Sequence, residues 1–213
     1  MYSVAVVDYG IVNLKNVVRA LAYVGASINS TSDYKRVLAA DRVILPGVGA
    51  FPSGMSELTA SGMDDTLREV AHMGKPILGI CLGMQMLLEF SEEHGLHAGL
   101  GLVKGSVVEI PSETAGVKKR KIPHVGWSAL SSSTKPHKWD SSCLANLPEG
   151  TFCYFSHSFM ALPVNADNVI ATINYEDICI ASALQHENVM GIQFHPELSG
   201  PAGLQILKQF IAM

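Results

Sequence analysis

Gly79-Ile80-Cys81-Leu82-Gly83 sets a cysteine between two glycines. The apolar run 76–80 before it predicts a buried strand, and 82–90 after it predicts a helix. A nucleophile in this G-x-C-x-G setting sits on a sharp strand-to-helix turn, held proud of the sheet. The positive end of the following helix favours thiolate over thiol there. Such a cysteine attacks carbonyl carbon, and it needs a base. Among eight histidines, His195 stands out. It follows the apolar run 189–194 and precedes Pro196-Glu197. An extended backbone points Glu197 to the same side as His195, where a carboxylate fixes the imidazole tautomer and stabilises the imidazolium. An oxyanion site completes the set. The backbone N–H of Leu82 is one donor, and the loop Pro46-Gly47-Val48-Gly49, with Val48 and Gly49 at its turn, is placed to give another. Each piece alone also has a plainer reading: a structural cysteine at a tight turn, a solvated His-x-Glu, an ordinary strand-to-helix loop.

These groups must be positioned by the elements around them. Strands are expected at 4–7, 42–45 and 76–80, and helical spacing recurs at Leu14, Val17, Val18, Leu21 and Val24, at Leu58, Met63, Leu67 and Val70, and over 82–90. Alternating strands and helices predict an α/β fold with a mostly parallel open sheet flanked by helices. In such a sheet the end of the second strand lies beside the cysteine turn. After Gly95 the texture changes to short strands at 103–110, 129–131, 152–159, 169–173, 178–184 and 189–194, and a last helix at 201–212. A strand-rich second half is therefore expected within one domain, 1–213. The run Lys118-Lys119-Arg120-Lys121 reads as a solvated hairpin tip. His72, His94, His97 and His137 read as surface residues.

The chain has 213 residues, 48% of them hydrophobic and 16% charged, with net charge −4. That supports a sizeable core and argues against disorder, a nucleic-acid partner or a membrane surface. There is no apolar run long enough to span a bilayer and no basic start of a signal peptide, so a cytoplasmic location is expected. Cys81, Cys143, Cys153 and Cys179 lack C-x-x-C spacing, so free thiols are expected, with no metal and no cofactor.

Three segments, Pro46-Gly47-Val48-Gly49-Ala50-Phe51, Gly79-Ile80-Cys81-Leu82-Gly83-Met84-Gln85 and Phe194-His195-Pro196-Glu197, resemble in order and spacing the signature blocks of the class I, or triad, glutamine amidotransferases. Ile122-Pro123-His124-Val125-Gly126-Trp127 and Tyr154-Phe155-Ser156-His157-Ser158-Phe159 resemble the branch formed by the glutaminase subunits of imidazole glycerol phosphate synthases. The likeness spans nearly the whole chain. It implies a flavodoxin-like core, a Cys81–His195–Glu197 triad hydrolysing L-glutamine through a thioester, and glutamine contacts at Gln85, Glu93, Ser158 and Phe159. It also implies a heterodimer with a (β/α)8-barrel cyclase that receives the ammonia in histidine biosynthesis. Asn13, Trp127 and Tyr154 match interface positions.

Two departures bear on that partner: Leu198 where the family often has lysine, and Val12 where a glycine usually precedes the Asn. The alternative is the same chemistry feeding another synthase, such as one building a nitrogen-bearing surface sugar. Two further readings carry less. A cysteine hydrolase of the related branch has a His directly after the nucleophile, where Leu82 stands. A non-catalytic module has no use for Cys81, His195 and Glu197 together.

Overall fold

A computed structural model describes residues 2–10, 14–113, 119–132 and 139–213. Val12, Asn13, Lys118 and His137 lie outside the described residues. The first half runs β1 (Ser3–Val7), α1 (Leu14–Tyr23), β2 (Ser27–Thr31), α2 (Tyr34–Ala39), β3 (Arg42–Gly47), α3 (Phe51–Ala60), α4 (Met63–His72), β4 (Ile77–Cys81) and α5 (Leu82–Met86). There follow β5 (Leu88–Ser91), β6 (His97–Ala98), β7 (Val103–Glu109), β8 (His124–Ala129), β9 (Ser131–Ser132), β10 (Phe152–His157) and β11 (Phe159–Pro163). The chain then forms β12 (Val169–Tyr175), β13 (Ile178–His186), β14 (Val189–Ile192), a 3-10 turn (Pro196–Leu198) and α6 (Gly200–Ala212).

The main sheet has eight strands in the order β2-β1-β3-β4-β14-β13-β12-β9. It is parallel from β2 to β14 and antiparallel beyond. Alternation along β1 explains its two covered faces. Val4 and Val6 join Leu21 of α1 and Phe210 of α6 in one core, while Ala5 and Val7 join Leu58 of α3 and Leu67 of α4 in the other. Two small sheets lie beside this frame, β11-β7-β5-β6 and the β10-β8 hairpin-like pair. The expected α/β class, parallel core and strand-rich second half are all present.

Several local expectations are corrected. The helix expected over 82–90 ends at Met86, and Leu88–Ser91 is a strand paired with β7. Leu87 and Leu88 are wholly buried, so a short apolar run carried no information on which period it followed. The strand expected at 152–159 breaks at Ser158, and β10 and β11 enter different sheets. β2 and α2 went unforeseen, because Ser27-Ile28-Asn29-Ser30-Thr31 is a polar strand with little apolar alternation.

The basic run is not simply a solvated tip. Arg120 is buried, donating to the Pro111 and Glu113 carbonyls and to Asp177.

The tightest packing surrounds the turn after β4. A Cβ added at Gly83 would stand 1.9 Å from the Leu45 carbonyl oxygen, and one at Gly79 would stand 2.6 Å from the Gly83 oxygen. Both obstacles are backbone, so neither can swing aside. Gly83→Ala is therefore expected to lower the free energy of unfolding by about 2–4 kcal/mol, on the scale of overpacked or strained core sites. Urea denaturation of the two chains measures it, and an unchanged midpoint would contradict the close approach.

Candidate active site

Cys81 ends β4 and caps α5 with φ 54° and ψ −111°, a conformation that L residues rarely hold. The register pairs it with Gly47 at the end of β3, as the parallel sheet requires. Gln193 Nε2 donates to its sulfur at 3.7 Å, and the thiol lies 4.0 Å from the Ser156 carbonyl oxygen.

His195 and Glu197 stand opposite, with His195 Nδ1 donating to Glu197 Oε1 at 2.9 Å. The backbone between them is not the extended one expected. Pro196 opens a 3-10 turn, and the Leu198 N–H bonds back to the His195 carbonyl at 3.1 Å. The tight turn brings the carboxylate to the ring all the same. The His195 backbone is held by β10, its N–H donating to the Tyr154 carbonyl at 2.9 Å. Burial alone would lower the His195 pKa. Hydrogen bonds and charge from Cys81 and Glu197 outweigh it and raise the value to about 10. Glu197 Oε2 is buried with no partner among the described residues.

A cavity of about 350 Å³ opens on Cys81 and His195, within the range of small-molecule sites. Its wall includes Val48, Gly49 and Leu82, expected around an oxyanion, and Gln85, Glu93, Ser158 and Phe159, expected around a substrate. Glu93 Oε2 accepts the Phe51 N–H at 2.7 Å at the start of α3, so this carboxylate is anchored. Gln85 Nε2 donates to the Phe159 carbonyl at 3.2 Å and to Gln193 Oε1 at 3.0 Å. That second bond sets the Gln193 amide so that its NH2 faces the Cys81 sulfur.

Sequence reasoning missed Gln193, Tyr9 and a histidine pair. The signal for Gln193 was its place two residues before His195, on the same strand-end face. Tyr9 donates to the Pro46 carbonyl at 2.9 Å and so fixes the start of the 46–49 loop. Its burial, with Cys81 nearby, pushes the phenol pKa up.

Outside the cavity, Trp127 and Tyr154 are cross-strand neighbours with ring centroids 6.0 Å apart. Trp127 is 54% exposed and Leu198 44% exposed, and Val125 on β8 and Phe152 on β10 are exposed as well. Among the described residues, no three His, Cys, Asp or Glu side chains gather as a metal site, and no helix is long and apolar enough to cross a membrane.

An open α/β sheet that presents a cysteine on a strained turn, facing a histidine–carboxylate pair, has the layout of a cysteine-dependent acyl-transfer enzyme. The chain belongs to the class-I glutamine amidotransferase family, whose model matches residues 5–213. It is similar, at 46% identity over 99% of both chains, to a Legionella pneumophila (strain Lens) protein named imidazole glycerol phosphate synthase subunit HisH 1. A Listeria monocytogenes (serotype 4a, strain HCC23) protein named imidazole glycerol phosphate synthase subunit HisH is 42% identical, over 97% of this chain and 94% of its own length. Among solved structures, a putative GMP synthase protein from Thermoplasma acidophilum shares the fold, with TM-score 0.71 and 21% identity over 100% of this chain and 93% of that one. A structure described as a glutamine amidotransferase gives TM-score 0.72 at 14% identity, over 98% of this chain and 99% of that one.

The His195 environment yields a test. A histidine whose folded pKa is raised adds stability in full below its unfolded value, and that stability fades as pH climbs through the folded value. Glu197→Gln removes one cause of the rise. NMR titration of the His195 ring in that variant should place its midpoint below that of the parent chain, and the stability lost between pH 7 and 10 should shrink. An unmoved midpoint would show that Glu197 does not act on the ring.

Proposed function

We propose that the chain is the glutaminase subunit of an imidazole glycerol phosphate synthase, a cytoplasmic single-domain protein acting with a (β/α)8-barrel cyclase. One observation carries the reading: the Cys81 sulfur, the His195 ring and the anchored Glu93 carboxylate open on one amino-acid-sized cavity. The similarity to the HisH relatives over nearly full length supports the choice of synthase.

The chemistry follows from the positions. Glutamine enters with its α-ammonium toward Glu93 and its carboxamide toward Cys81. Gln85, Ser158 and Phe159 hold the amino-acid head. His195 takes the Cys81 thiol proton, the sulfur attacks the side-chain carbonyl carbon, and the oxygen takes the electron pair. Leu82 N–H and an amide of the Val48-Gly49 segment stabilise that oxyanion; losing one such donor costs roughly 10²–10³ in rate. His195 gives its proton to the departing nitrogen, the C–N bond breaks, and ammonia leaves a glutamyl thioester. Water then attacks the thioester, His195 taking its proton and passing it to the Cys81 sulfur as the C–S bond breaks, and glutamate and the free thiol are released. Glu197 keeps the ring oriented throughout. The ammonia goes to the cyclase, which forms imidazole glycerol phosphate and an aminoimidazole carboxamide ribonucleotide.

The exposed apolar face of β8 and β10, with Trp127, Tyr154 and neighbouring Leu198, is suited to that partner. Asn13, expected beside them, lies outside the described residues.

Two outcomes are expected. Cys81→Ala abolishes glutamate release, whereas Cys143→Ala leaves most of it, because Cys143 is buried and its thiol is pushed up to about 12. Release that survives Cys81→Ala refutes the thioester route. Trp127→Ala weakens cyclase binding at least about tenfold, as a central aromatic does in an interface. Calorimetric titration with the cyclase checks it, and unchanged affinity would move the interface elsewhere.

A further inference from the structure

His124 and His157 come from the two segments that resemble the synthase branch, and no step of the proposed reaction uses them. Both are buried, and they meet through their rings, His124 Nδ1 lying 3.0 Å from His157 Nε2. The outer nitrogens are also engaged. His157 Nδ1 lies 2.8 Å from the Phe159 carbonyl oxygen, and His124 Nε2 lies 3.0 Å from Ser128 Oγ.

Facing a carbonyl, His157 Nδ1 must carry hydrogen, since two acceptors would repel. With the pair neutral, His157 Nε2 is then an acceptor, so His124 Nδ1 must be the donor. That leaves His124 Nε2 to accept from the Ser128 hydroxyl. Burial favours this neutral arrangement, lowering the His124 pKa and bringing His157 down to about 4. The hydrogen bonds therefore run one way, from Ser128 through both rings to the Phe159 oxygen.

The end of the chain matters most. The Phe159 carbonyl takes its second hydrogen bond from Gln85. The His157 bond spans Ser158, the residue at which β10 gives way to β11 and the cavity wall turns. The other end lies beside Trp127 on β8.

We propose that His124 and His157 are positioning residues: their one-way relay clamps the Ser158 break and so sets the cavity wall that receives the α-amino-acid head of the substrate. This rests on the glutamine reading. It makes head recognition, not thiol reactivity, the property that depends on the pair.

Two electrophiles separate those properties. 6-Diazo-5-oxo-L-norleucine carries the amino-acid head and iodoacetamide does not. Mass spectrometry follows labelling of Cys81 in the full-length chain carrying Cys179→Ser, since Cys179 is the exposed cysteine. In His124→Leu the half-saturating concentration of the diazoketone should rise about tenfold, while the iodoacetamide rate stays within about twofold. His124→Asn, which keeps an N–H toward His157, should recover most of the loss. Ser128→Ala leaves His124 Nε2 without its donor, loosening the relay at its origin; it should raise the diazoketone value two- to fivefold, and it decides the matter if His124→Leu does not fold. Unchanged diazoketone saturation in these variants, or a fall in both reagents together, overturns the proposal alone. Labelling of the parent chain that does not saturate with the diazoketone overturns the glutamine reading, and this inference with it.

Discussion

Everything at the site depends on one residue holding an unfavourable backbone. At φ 54° and ψ −111°, Cys81 is strained, at a cost on the order of 1–3 kcal/mol for such positions. It keeps that shape because the neighbours leave it nowhere else to go. β4 is fixed between β3 and β14, and α5 must start at once and pass within backbone contact of Leu45. Gly79 and Gly83 supply the space. The result is a sulfur lifted off the sheet, into the cavity formed where the strands end.

Around that sulfur the polar groups are arranged with few free degrees of freedom. Gln85 orients Gln193, Gln193 faces Cys81, and the same Gln85 amide reaches the Phe159 carbonyl. His195 is held at its ring by Glu197 and at its backbone by β10. Tyr9 secures the loop that begins at Pro46. Linked in this way, the groups are held rigidly, because breaking any of these bonds would leave a buried polar atom unpaired at a cost. In the proposed reaction, preorganised donors and a fixed base act without rearranging as charge develops.

Much of this was legible in the sequence because the constraints are local. A strand feeding a G-x-C-x-G turn has few alternatives, and the pairing of Gly47 with Cys81 follows from parallel strand order. His195 and Glu197 were readable as partners, although the turn between them is 3-10 rather than extended. What escaped is what depends on distant contacts. Gln193 and Tyr9 gain their meaning from residues 112 and 37 positions away. The strand at Leu88–Ser91 is decided by its pairing with β7, and Arg120 is buried by carbonyls and acids that no charge pattern reveals. His124 and His157 lie 33 residues apart and become a pair only because β8 and β10 are aligned.

The most direct test is to acid-quench the chain during glutamine turnover with its cyclase and map the cysteine peptides by mass spectrometry. A glutamyl adduct on the Cys81 peptide is the expected result. An adduct on Cys143, Cys153 or Cys179, or sustained turnover with no adduct on any of the four, would contradict the assignment of the strained cysteine as the nucleophile.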